Sequence, residues 1–194
     1  MLIPKILEFM SKKPVVRVHD LRKYLGAKDK SLNALLYYMC KRGMIKRIFK
    51  GAYTTAKDIK VIATWLYMPS YISLEYSLFV RGLLEQVIDV LQVITSQRLK
   101  YNEINILGSM VRYYRIPSRL MFGFTHEYSD TDEEFYYFIA HPEKAILDMI
   151  YLGKNIRTYT IHWDNINKDR ILKYSKYYPK WVREKVDTII FQLT

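Results

Sequence analysis

The sequence predicts an α+β protein in two parts: a winged helix-turn-helix over residues 1–56, then a mixed domain with an antiparallel sheet and helices over 57–194. Three observations predict it. The hydrophobic periodicity of the first 55 residues runs helix, helix, helix, β-ribbon. Five β-prone runs joined by short connections follow, set between helical segments. The charge also divides sharply between the two parts. A length of 194 residues suits one large domain or two small ones. At 50% hydrophobic and 26% charged residues, the chain has the composition of a globular protein with a core.

The elements can be justified in order. Pro4 suits a first turn, and Ile6, Leu7 and Met10 recur at helical spacing until Ser11 to Pro14 ends the first helix. Val15 to Val18 reads as extended. Asp20 to Leu25 is a second helix, stopped by Gly26 in the left-handed cap. Asp29 can cap a third helix, on which Leu32, Leu35, Leu36 and Met39 form an apolar face and which Gly43 ends. Ile45 to Phe49 and Ala52 to Thr55 flank Lys50-Gly51, a tight-turn signal between β-prone runs. Ala56 to Lys60 is the expected junction. Helices follow at Asp58 to Leu66 and Leu74 to Arg81, the second with Ser73 as cap and Gly82 as stop. Strands are expected at Val90 to Thr95, Ile104 to Leu107, Met110 to Ile116, Phe122 to Tyr128 and Glu134 to Ala140, and the short connections favour antiparallel pairing. Pro142 opens a helix to Leu152. Two more cover Lys168 to Lys176 and Pro179 to Leu193, the last with Val182, Val186, Ile189, Ile190 and Leu193 on one face.

Charge says what the first part meets. Residues 1–60 carry 15 basic and 4 acidic side chains, so 11 of the chain's net +12 lie there. Such a module is built to meet a polyanion. On a helical wheel Lys30, Ala34, Tyr37 and Lys41 centre the face opposite the leucines, flanked by Ser31, Asn33 and Tyr38. A helix that reads the major groove needs small or hydrogen-bonding residues near its start. Asn33 suits bidentate pairing with adenine and Ala34 a thymine methyl, while Ser31 and Tyr37 complete the face. Lys28, Lys30 and Lys41 are placed for phosphates, and Lys46, Arg47 and Lys50 of the ribbon for a neighbouring phosphate or minor groove. The plain alternative is a solvated basic surface.

Other classes find no support. There is no glycine-rich phosphate loop, nucleophile elbow or zinc-ligand cluster, so the chain is expected not to be an enzyme and to need no cofactor. The four histidines, His19, His126, His141 and His162, are scattered away from metal-ligand spacing, so no metal is expected. The lone Cys40 cannot form an internal disulfide, and the N-terminus lacks an apolar signal core, so the expected location is cytoplasmic. Glu75, Arg81, Glu85 and Asp89 interrupt the apolar stretch from Leu74 to Ile94, so no membrane span is expected.

Four segments taken together resemble one family. KRGMIKRIFKGAYTT, PSYISLEYSLFVRGLL, VRYYRIP and HPEKAILD, in this order, resemble the AbiEi-type antitoxins of bacterial and archaeal type IV systems, and the resemblance covers most of Leu21 to Leu152. It implies a transcriptional repressor of its own toxin-antitoxin operon, binding double-stranded operator DNA as a monomer or weak dimer. It also implies a C-terminal domain that counters a nucleotidyltransferase toxin without a stable complex.

Three segments carry competing readings. HPEKAILD reads as helix-start chemistry, with Glu143 near the positive end of the dipole and Lys144 four residues before Asp148. An acid/base pair of Glu143 and Asp148 is the weaker alternative, because i and i+5 diverge around a helix. The acidic run Glu127, Asp130, Asp132, Glu133, Glu134 reads as a solvated hairpin tip. Tyr174, Tyr177, Tyr178 and Trp181, interleaved with Lys173, Lys176 and Lys180, read as core aromatics with solvated lysines. Otherwise they form a stacking platform for RNA or single strands. A stand-alone regulator without a toxin, or a nucleic-acid-processing factor, are therefore the rival functions.

Overall fold

A computed structural model describes residues 2–26 and 30–192, with Lys30 and residues 190–192 as backbone only. The first part consists of α1 (Leu2–Ser11), β1 (Val15–Arg17), α2 (Val18–Leu25), α3 (Lys30–Lys41), β2 (Lys46–Phe49) and β3 (Ala52–Thr54). The three strands form an antiparallel sheet in the order β1-β3-β2. Ile6, Met10, Leu21, Leu32, Leu36 and Met39 from the three helices close on Val16, Ile45 and Tyr53. Leu35, on the edge of the predicted apolar face, is only half-buried. α2 starts at Val18, ahead of the expected Asp20, and the Val18 amide, which as a first-turn donor has no acceptor within the helix, donates to the Gly51 carbonyl at 3.0 Å. Gly43 ends α3 with φ +69°: its amide bonds the Cys40 carbonyl and that of Met44 bonds Met39, a pairing only a left-handed residue permits.

The second part follows as α4 (Ile59–Leu66), β4 (Ser70–Ile72), α5 (Leu74–Val80), β5 (Leu91–Thr95), β6 (Glu103–Ile106), β7 (Ser109–Arg115), β8 (Phe124–Tyr128) and β9 (Tyr136–Ala140). Helices α6 (Pro142–Tyr151), α7 (Lys168–Ser175) and α8 (Lys180–Gln192) complete it. The six strands are ordered β6-β7-β5-β4-β9-β8. This sheet is mixed, a correction to the antiparallel expectation: β5 runs parallel to β7, and β4 parallel to β9. The hairpin β6–β7 inserts its second strand, not its first, against β5, which reverses the sense of that pair. The short strand β4, which is not among the expected strands, is one of the two central strands.

Successive residues alternate between two cores, as the pleat requires. Leu91 and Val93 of β5, Val111 and Tyr113 of β7, and Tyr137 and Ile139 of β9 pack with Val61, Ile62, Ala63 and Leu66 of α4. Ile94, Tyr71 and Ala140 turn the other way, against α5, α6 and the C-terminal helices. With both faces covered, every residue of β5 is buried, the polar Gln92 and Thr95 included. Ile48, Ala52 and Ala56 join the α4 side, so one core runs on from the ribbon into the sheet. Arg17 adds a polar tie, donating to the Leu66 carbonyl at 3.1 Å with its guanidinium over the Phe49 and Tyr67 rings.

Strand β8 starts at Phe124 and not at Phe122, because Gly123 breaks it with φ +72°. A Cβ there would stand 2.9 Å from the Tyr174 ring and 3.2 Å from Lys144 Cβ, so both conformation and space demand glycine. No helix among the described residues is long and apolar enough to cross a membrane.

Candidate nucleic-acid interface

Burying Leu32, Leu36 and Met39 turns the opposite side of α3 outward. Ser31, Asn33, Ala34, Tyr37 and Lys41 are all exposed, Tyr37 at 63%. The Lys41 ammonium lies 5.6 Å from the Tyr37 ring centre, and the Arg42 guanidinium 5.5 Å from that of Tyr38. Arg42, beside the flanking Tyr38, thus extends the face beyond the expected contacts. The signal was present, since Arg42 directly follows Lys41. Lys46, Arg47 and Lys50 are exposed on β2 and its turn, with Arg47 Nε donating to the Phe49 carbonyl at 3.4 Å. Among the described residues none of Lys41, Arg42, Lys46, Arg47 and Lys50 is paired with a carboxylate. The side chain of Lys30, together with Lys28 and the cap residue Asp29, lies outside the described residues. Cys40 sits at the back of the same helix, where burial pushes its thiol up, away from the reactive thiolate.

The second charged constellation is buried; Pro142 opens α6, Glu143 lies in its first turn and Lys144 pairs with Asp148 as HPEKAILD suggests, but in the interior. Lys144 and Asp148 have fully inaccessible side chains and lie 2.5 Å apart. Asp148 Oδ1 also accepts from the Tyr178 hydroxyl at 2.6 Å, and Oδ2 from Tyr71 at 2.9 Å and Ser73 at 2.8 Å. Lys144 in turn donates to the Tyr178 oxygen. Ser73 therefore does not cap α5 with its hydroxyl, which is committed to Asp148. Glu143 is buried as well, accepting from the Asn167 amide at 2.9 Å and Arg170 at 3.5 Å. Glu143 and Asp148 have separate partners, and Asp148 is sealed from solvent, so they form no acid/base pair. The network binds β4, α5, α6 and the segment before α8 into one knot. Nothing in the local spacing shows it, because the hydroxyl partners lie 30 to 77 residues away.

Burial pushes the Tyr71 and Tyr178 phenols well up, with the Asp148 charge adding to it. Unfolded tyrosine ionises near pH 10. The two phenols therefore contribute stability that is fully present below about pH 10 and is lost as pH rises beyond it. Lys144 works the other way, since burial lowers its ammonium despite Asp148, and folding gains as pH climbs toward its ordinary 10.5. Two groups oppose one, so the melting midpoint is expected to fall above about pH 10, and Tyr178→Phe to shrink the fall. A midpoint unchanged well beyond that pH would contradict the assignment.

The acidic run is only partly a solvated tip. Glu133 and Glu134 are exposed, but Asp132 Oδ2 accepts from the Lys57 and Asp58 amides, both at 2.6 Å, just ahead of α4. Asp58 caps α4 through the Lys60 amide at 2.8 Å and holds Ser129 at 2.7 Å, while Glu127 pairs with Arg81 at 2.9 Å. The C-terminal aromatics are split, which corrects the core reading. Tyr178 is buried and Tyr174 half-buried, whereas Tyr177 is 60% and Trp181 41% exposed. Lys185 lies 5.4 Å over the Trp181 ring.

Among the described residues no group of His, Cys, Asp or Glu is placed to hold a metal ion. No protein-family model and no curated protein matches the chain.

Proposed function

We propose that the chain is a sequence-specific DNA-binding repressor whose residues 1–56 form a winged helix-turn-helix, with α3 as the reading helix and the β2–β3 ribbon as the wing. The observation that carries this reading is the exposed face of α3. It combines small or hydrogen-bonding side chains at its start, Ser31, Asn33 and Ala34, with cations at its end and on the ribbon that no described carboxylate neutralises. By sequence position, Lys28 adds charge ahead of the helix and Lys30 at its first residue. The antitoxin role implied by the four AbiEi-like segments belongs to the second part, directed at a nucleotidyltransferase toxin. A gene for such an enzyme beside this one would favour it over a stand-alone regulator.

The test is binding to the duplex upstream of its own gene and to a scrambled duplex across a salt series. If about eight phosphates are neutralised, log affinity is expected to fall with log salt at a slope on the order of −7. The upstream duplex should hold its advantage at every salt concentration. Equal affinity for both duplexes would reduce the basic face to a nonspecific surface.

One observation favours a second reading. The exposed rings of Tyr177 and Trp181, with Lys185 over the latter, resemble a platform on which single-stranded bases stack. Substituting Lys173, Lys176 and Lys180 together by Glu is expected to leave duplex affinity within about twofold, since they stand on or beside α7 and α8 and not on α3 or the ribbon, and surface charges are screened by salt. A loss equal to that from substitutions in α3 would favour the second reading.

A further inference from the structure

The sheet of the second part ends on β8, and among the described residues no strand lies on its outer side. Its register with β9 runs without a break from Phe124 opposite Ala140 to Tyr128 opposite Tyr136. The His141 amide donates to the Gly123 carbonyl at 2.9 Å, and the Ser129 amide to the Phe135 carbonyl at 3.0 Å. Antiparallel pairing alternates, so Gly123, Thr125, Glu127 and Ser129 direct their backbone groups at β9. The N–H and C=O of Phe124, His126 and Tyr128 therefore point outward, and no described group takes them.

Open edges are normally blunted by lysine, proline, a bulge or an outward charge. The strand has neither Lys nor Pro and no bulge, and its one carboxylate, Glu127, is turned back onto the Tyr137 hydroxyl at 3.1 Å and Arg81 at 2.9 Å. It carries rings instead. Phe124, His126 and Tyr128 share one face with Tyr136 and Phe138 of β9 in a row spaced 5.4 to 6.2 Å between centroids, and Tyr128 at its end is 64% exposed. The two ends of this edge also differ in charge. Past Tyr128 come the exposed Asp130, Glu133 and Glu134. At the other end Tyr174 of α7 packs on Gly123 and Phe122, which brings the exposed Lys173 and Lys176 to that side.

We infer that β8 is a homodimer contact, at which two copies pair edge to edge, antiparallel about a two-fold axis through His126, into one continuous sheet. That register sets Phe124 against the partner's Tyr128 and His126 against the partner's His126, so every outward residue exchanges both its backbone bonds with an outward residue. A slip of one residue would set outward groups against inward ones, and a slip of two would leave an end residue unpaired. The two ring rows meet on the same face, Tyr128 beside the partner's Phe124. Each acidic end comes to the side of the partner's basic end. A foreign strand could fill the backbone groups, but this edge matches itself in ring order and in charge. Five residues a side make a small contact, so association is reversible and follows concentration. The pairing is independent of the α3 face, since β8 belongs to the second part.

The experiment is sedimentation of the full chain over a concentration series up to millimolar. The mass is expected to rise from one 23.3 kDa chain toward two. His126→Pro removes only an outward amide and spares the bonds to β9. Tyr128→Lys supplies the missing guard at the place where it meets the partner's basic end. The two-fold axis doubles every change, so each variant should weaken association at least about tenfold. Melting curves check that both are folded. Cross-linking reads the register: in a Cys40→Ser background, His126→Cys is expected to oxidise to a disulfide-linked dimer, since the Cα atoms of a hydrogen-bonded pair stand about 5.5 Å apart. Thr125→Cys, off the axis and on the opposite face, should stay reduced. The proposal is overturned by a chain monomeric throughout, which would leave the edge to a strand of another protein, by a dimer that neither folded variant weakens, or by Thr125→Cys cross-linking as readily as His126→Cys.

Discussion

Asp148→Ala is expected to destabilise the protein by about 3–5 kcal/mol, the range for breaking a buried ion pair from one side. The substitution leaves the Lys144 ammonium without its counter-charge and withdraws the acceptor of three hydroxyls, Tyr71, Ser73 and Tyr178, all in the interior. Lys144→Met is expected to do less harm. Asp148 then keeps its three hydroxyl donors, and an unbranched apolar chain of similar length fills the space. That asymmetry distinguishes an anion-centred knot from a simple salt bridge, in which either loss would cost about the same. Urea unfolding of the two single variants measures it. A loss under 1 kcal/mol for Asp148→Ala, or equal losses for both, would refute the description (figures on the order of those for buried pairs).

Replacing Ser31, Asn33 and Tyr37 together by Ala is expected to lower affinity for the specific duplex by two to three powers of ten. A bidentate contact from Asn33 to adenine accounts for roughly 1–3 kcal/mol of discrimination, and the two flanking hydroxyls for about 1 kcal/mol each. Affinity for scrambled duplex should barely change, since the three side chains carry no charge and the cations around them remain. The salt slope should stay the same for the same reason. All three are exposed on α3, so stability should hold, and a melting curve separates lost reading from lost folding. A variant that still prefers the specific duplex would move recognition to the ribbon, where Lys46, Arg47 and Lys50 stand.

The first part of the fold was legible because its elements are local. Leu32, Leu36 and Met39 fall at i, i+4 and i+7, and that spacing alone places Asn33, Ala34 and Tyr37 on the outside. Gly26 and Gly43 end their helices in the left-handed conformation that their positions suggested. The sheet of the second part was legible strand by strand but not as an arrangement. Which strands become neighbours depends on how the hairpin β6–β7 docks, and three residues of β4 are too few to show a period. The cluster around Asp148 was the least legible. Lys144 and Asp148 look in sequence like an ordinary surface pair at i and i+4, and only the apolar Ala145, Ile146, Leu147, Met149 and Ile150 around them hint at burial on every side.

The core shared by Ile48, Ala52 and Ala56 with α4 bears on modularity. A chain cut after residue 56 would turn those three side chains, together with Val61 and Ile62 on the other fragment, from interior into surface. The segment 1–56 is thus no detachable cassette on a tether. Grafted onto another protein, it would bring an adhesive edge with it, whereas in place the same edge sets the angle at which α3 meets the outside world.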